Sequence, residues 1–118
     1  MIVMITFLSI VLLSTASGSI LVDSDTTRLA YSNCLVEFTT THLDEKTGTS
    51  EFRKAAVDAC PGERNAMISA MKKDEMEFGS SESEAAKYAR EEADGVLFSF
   101  TDGYAGFASS NTRPVKEE

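Results

Sequence analysis

The side chains able to do chemistry in this sequence are few, and their spacing is informative. Two cysteines, Cys34 and Cys60, lie 26 positions apart. An even cysteine count suggests a disulfide if the chain is exported. Closing that loop would stabilise a fold by roughly 3–4 kcal/mol on the loop-entropy model. Two free thiols or a redox pair are the rival readings, though the spacing is far from Cys-x-x-Cys. His42 is the sole histidine and continues the stripe Tyr31–Leu35–Phe38. Near a helix C-terminus, capping or packing is its expected role. A metal role with Asp44 and Glu45 is the weaker alternative, and two thiols with one imidazole fall short of a closed zinc site. A serine nucleophile would need His42 as base, and no Gly-x-Ser-x-Gly elbow is present. Glu91 and Glu92 diverge by about 100° on a helix, so they do not flank one bond. No catalytic residue, metal or cofactor is expected.

These residues sit in a chain of two compositions. Met1 to Val22 carries no charged side chain, and residues 2–13 are apolar except for Thr6 and Ser9. Small residues follow, as in a secretory signal peptide cleaved after Ala16 or Gly18. No Lys or Arg precedes the apolar run, and a retained anchor is the alternative. The run is short for a membrane span, which needs about 20 apolar residues. Residues 1–18 are therefore assigned as signal, 19–108 as a helical domain and 109–118 as a disordered polar tail. A periplasmic or secreted location follows.

The net charge is −8, from 19 acidic and 11 basic residues. Such a field repels nucleic acid and anionic lipid and attracts a basic protein surface. It also keeps a small protein soluble.

Four helices are predicted. The first starts from a cap at Ser24 or Asp25 and runs to about His42. It is apolar on two sides, with Leu29, Val36 and Leu43 opposite Tyr31, Leu35 and Phe38, and reads as a central helix. A polar turn at 44–49 leads to a second helix capped by Ser50, with Phe52, Ala55, Ala56 and Ala59 on one face. Pro61 ends it and opens the third helix. Ala66, Met67, Ala70, Met71 and Phe78 form that helix's stripe, and Gly79 closes it. Ser81 and Glu84 have capping-box spacing before the fourth. Ala85, Ala89, Ala93, Val96, Leu97, Phe100, Tyr104 and Phe107 then recur at helical steps. The fold expected is all-α, a small four-helix antiparallel bundle with one disulfide.

Gly95, Ser99 and Gly103 make a second stripe on the last helix. Small residues at that spacing admit a close helix, either the central helix of the same chain or a second copy in a homodimer. Phe98 lies on the charged side of the same helix and is a candidate partner contact.

Tyr31-Ser32-Asn33-Cys34-Leu35, Ala59-Cys60-Pro61-Gly62-Glu63-Arg64 and Gly103-Tyr104-Ala105-Gly106 resemble segments of small uncharacterised exported bacterial proteins. The resemblance covers most of the mature chain and implies no activity. In general form the chain is also similar to periplasmic acid-stress chaperones of the HdeA type and to small immunity proteins. The expected function is a non-catalytic exported protein-binding module of inhibitor, immunity or holdase type, as monomer or homodimer. The alternative is a small-molecule carrier with an apolar cavity among Phe38, Met67, Met71, Phe78 and Phe100.

Overall fold

The computed structural model describes residues 23–118. The signal segment and its cleavage sites lie outside the described residues. Four helices follow in order: α1 (Ser24–Asp44), α2 (Thr49–Ala56), α3 (Pro61–Glu77) and α4 (Glu82–Ser110). The chain is all-α with one disulfide, Cys34–Cys60, whose Cα atoms are 6.2 Å apart. No helix among the described residues is long and apolar enough to cross a membrane.

Local signals set most helix ends. Asp23, one residue before the expected cap, accepts a 2.6 Å hydrogen bond from the Thr26 amide. That bond holds its carboxyl below the usual range. Ser81 caps α4 by accepting from the Glu84 amide at 3.2 Å. The cap of α2 is Gly48, with no side-chain bond, and Ser50 lies inside the helix. Pro61 is the first residue of α3. Gly79 follows that helix at φ +102°, a conformation that L side chains rarely adopt.

Contacts between helices give the topology. Arg28 of α1 meets Glu92 of α4 at 3.0 Å, and Tyr104 reaches the His42 carbonyl, so α1 and α4 run parallel. Lys72 meets Glu82 and Arg64 meets Asp94, so α3 runs antiparallel to α4. Helix α2 packs on α4 and α1 and makes no side-by-side contact with α3. The two therefore stack end to end as one descending limb, broken at residues 57–60. The four helices make three limbs.

Helices α1 and α4 each pack on all three others. The expected central helix, α1, leaves Ala30, Glu37 and Thr41 exposed. Two cores line the descending limb. One joins Tyr31, Leu35, Val36, Met67, Met71, Ala89, Ala93 and Phe100. The other joins Phe52, Ala56 and Tyr104, and Phe38 and Leu97 pack against both. The small side chains of Ala89 and Ala93 leave room for Met67 and Met71 opposite. Phe52 stacks on Tyr104, with ring centroids 3.9 Å apart. The Tyr104 hydroxyl donates to the Thr47 carbonyl at 2.6 Å, which ties the α1–α2 turn to α4. Burial pushes that phenol up.

Phe78 does not join the buried stripe of α3. It is 88% exposed, because the helix ends at Glu77 and the chain turns away at Gly79. The polar tail expected from residue 109 begins two residues later. Helix α4 continues to Ser110, Asn111 caps it in the left-handed region, and the last residues return along α1. There Asn33 pairs with the Glu117 backbone, Arg113 with Asp44 and Lys116 with Glu37. A polar composition reads as solvated, but here it finds complementary charges.

Cys60 occupies the left-handed region, φ 53° and ψ 49°, at the break in the descending limb. Left-handed geometry costs a non-glycine residue about 1–2 kcal/mol. In a Cys34→Ala background, Cys60→Gly should therefore be more stable than Cys60→Ala by about 1 kcal/mol. Urea unfolding of the two variants checks this, and equal midpoints would sink it. A second test concerns Thr39, which is fully buried and whose hydroxyl has no hydrogen-bond partner among the described residues. Thr39→Val should raise stability by about 1 kcal/mol, because an unsatisfied buried polar group is removed at constant shape. A lowered urea midpoint would show that the hydroxyl is satisfied.

Candidate protein-docking surface

The break in the descending limb has an outer side. Ala56 and Ala59 turn inward, and Val57 between them is 59% exposed. Phe98 stands beside it on α4, 64% exposed. Val57, Phe98 and half-buried Leu97 line a shallow depression of about 240 Å³ with Arg53, Asp94 and Thr101. Asp58 adjoins Val57, and Glu91 and Asp102 fall at spacings of seven and four from Phe98, all three exposed. The apolar centre is thus edged by one base, Arg53, and one acid, Asp94, which pairs with Arg64. Beyond them Glu91 pairs with Lys87, and Asp58 and Asp102 add exposed negative charge.

One rim group is anchored from below. Arg64 donates to Asp94 and to the Tyr31 hydroxyl at 3.3 Å, with its guanidinium 5.9 Å from the Tyr31 ring centre. Burial opposes its charge, but the bonds to Tyr31 and Asp94 outweigh that and raise its pKa. The pairing fixes Asp94 at the edge of the depression. It also links α3 to α1 and α4.

The other residues singled out in the sequence are placed elsewhere. Cys34 and Cys60 are bridged. Their sulfurs and a Glu63 carboxylate oxygen lie within 4.8 Å of one another, but the bridge leaves no thiolate to bind a cation. The His42 Nδ1 atom is 2.9 Å from the Thr47 hydroxyl. Its ring packs on Phe38 at 4.4 Å and on Phe52 at 5.7 Å. Asp44 points instead to Arg113.

The cavity expected among Phe38, Met67, Met71, Phe78 and Phe100 is not assembled. Met67 and Met71 are packed in the core, and Phe78 stands in solvent. Phe100 borders an open groove of about 470 Å³ between α1 and α4, with Asp25, Arg28 and Glu117 on its walls.

The stripe Gly95, Ser99 and Gly103 does not receive α1. A Cβ added at Gly95 would meet nothing within 4 Å, and one at Gly103 would meet the Phe107 ring of the same helix at 3.3 Å. Ser99 is exposed and donates to the Gly95 carbonyl. Sequence reasoning found Phe98 from its position on the charged side of α4. It missed Val57, whose only signal is its offset of one residue from the buried Phe52–Ala56 face.

Comparison of the chain with protein-family models, curated proteins and solved structures gives no match. The site is therefore read from its own geometry.

Open space at Gly95 makes a direct test. Gly95→Ala should raise stability by about 1 kcal/mol, the helix-propensity difference. Thermal unfolding with parallel light scattering checks it. Destabilisation accompanied by loss of an oligomer would place the stripe between two copies.

Proposed function

We propose that the chain is a non-catalytic, exported module that binds a basic protein surface through Phe98 and Val57. The observation that carries this reading is the exposed pair, set over Leu97, with Arg53 and Asp94 on its walls and the exposed acids Asp58 and Asp102 close by. Aromatic anchors dominate many protein interfaces, and a charged rim adds steering and specificity. The net charge of −8 acts in the same direction on a cationic partner. The packed state of His42 and the bridged cysteines support a non-catalytic role, and the disulfide suits an oxidising compartment. An inhibitor, immunity factor or holdase would each use such a surface.

Two peptides of equal length, one of alternating Lys and Leu and one of Glu and Leu, test the reading by calorimetric titration. Saturable binding of the cationic peptide is expected, weakened by 0.5 M salt and reduced at least tenfold by Phe98→Asp, since a hot-spot residue typically contributes about 2 kcal/mol or more. Binding of both peptides alike, or of the cationic one unaffected by Phe98→Asp, would overturn it.

A further inference from the structure

The return of the C-terminal residues along α1 has a defined register. Arg113 pairs with Asp44 and Lys116 with Glu37. The Asn33 side chain then makes two bonds to the backbone of Glu117, donating to its carbonyl at 2.8 Å and accepting from its amide at 2.9 Å. The tail thus runs antiparallel to α1.

The spacings match. Glu37 and Asp44 are seven helical residues apart, about 10.5 Å along the axis. Arg113 and Lys116 are three residues apart, about 10 Å in an extended chain. Pro114 lies between them, half-buried, and its fixed φ favours extension. The Asn33 side chain completes the register by bonding only the backbone of Glu117, so the contact at that end does not depend on the tail residue's own side chain.

We infer that the α1 face carrying Asn33, Glu37 and Asp44 is a recognition track for an extended basic segment of a partner protein, and that residues 112–118 occupy it as an internal stand-in. The track reads two cations three residues apart and, just beyond the second, one backbone amide–carbonyl pair. Both ion pairs are about half exposed, so each is individually weak and screened by salt. The tail holds the track chiefly because it is tethered beside it, at high effective concentration. A partner segment with the same charge spacing and more favourable flanks displaces it. Glu117 and Glu118 sit at the acidic end of the tail, beside an already acidic protein. A segment lacking those acids avoids that repulsion. The surface is distinct from the Phe98 depression, and the inference shares with that reading only the basic character of the partner.

The test uses the full chain and a labelled, end-blocked peptide, Ala-Arg-Pro-Val-Lys-Ala, read by fluorescence anisotropy. In the double variant Arg113→Glu with Lys116→Glu the tail is repelled from α1. That variant should bind the peptide about tenfold more tightly than the unmodified chain, the factor expected if the tail occupies the track nine-tenths of the time. Adding Glu37→Lys should abolish the gain, whereas adding Phe98→Asp should leave it intact. Circular dichroism confirms that each variant is folded. Equal binding by the released-tail variant and the unmodified chain would overturn the inference, as would binding that survives Glu37→Lys. A concentration-dependent dimer of the unmodified chain that the released-tail variant loses would overturn the partner assignment in favour of the tail of a second copy.

Discussion

The fold depends on a break in its middle limb and on the covalent bond that holds the break in place. Between Ala56 and Pro61 the descending limb stops, turns and restarts, and Cys60 takes a backbone geometry that is unfavourable for it. The bridge to Cys34 fixes that point against the middle of α1. Once it is fixed, α2 covers one half of α4 and α3 the other, and two cores form, one under each. Tyr104 closes the first against the α1–α2 turn. Arg64, four residues after Cys60, reaches both Tyr31 and Asp94 in the second. Val57 keeps helical geometry at the end of α2, so it lies about 100° round from Ala56 and faces outward.

Charge is distributed with similar consequences. Six of the eleven basic side chains lie beside acids, namely Arg28, Arg64, Lys72, Lys87, Arg113 and Lys116. Several of these pairs link separate limbs, so cations are spent where they join elements. The acidic surplus is left on the outer surface, Asp58 and Asp102 near the Phe98 depression included.

Much of this was legible in the sequence. The regular step of Ala85, Ala89, Ala93, Phe100 and Tyr104 marks α4, because a long amphipathic helix writes its own period. The cysteine count gave the bridge, and Pro61 and Ser81 gave two of the helix starts. What could not be read depends on neighbours distant in the chain. Phe78 fits the period of α3, but burial needs an element above it, and the chain turns away one residue later. Gly95, Ser99 and Gly103 permit a close approach without compelling one. The tail contains only polar and charged signals, and its partners on α1 lie 69 to 84 residues away. Charge complementarity at that distance leaves no periodicity to detect. Phe98 could be placed on the charged side of α4, but that Val57 of α2 stands beside it depends on how the two helices pack, which no local pattern records.

An odd number of limbs leaves the backbone dipoles unbalanced. In an even up-and-down bundle each helix is opposed by a neighbour and the macrodipoles largely cancel. Here α1 and α4 point the same way, and only the broken limb of α2 and α3 opposes them. The remainder amounts to about half an elementary charge of each sign, one at either end of the long axis. The positive end gathers the first turns of α1 and α4, where Asp25, Glu82 and Glu84 answer it. The negative end lies near the last turns of both helices. An approaching cation therefore meets a molecule with a preferred heading, turned by its own backbone before any side chain makes contact.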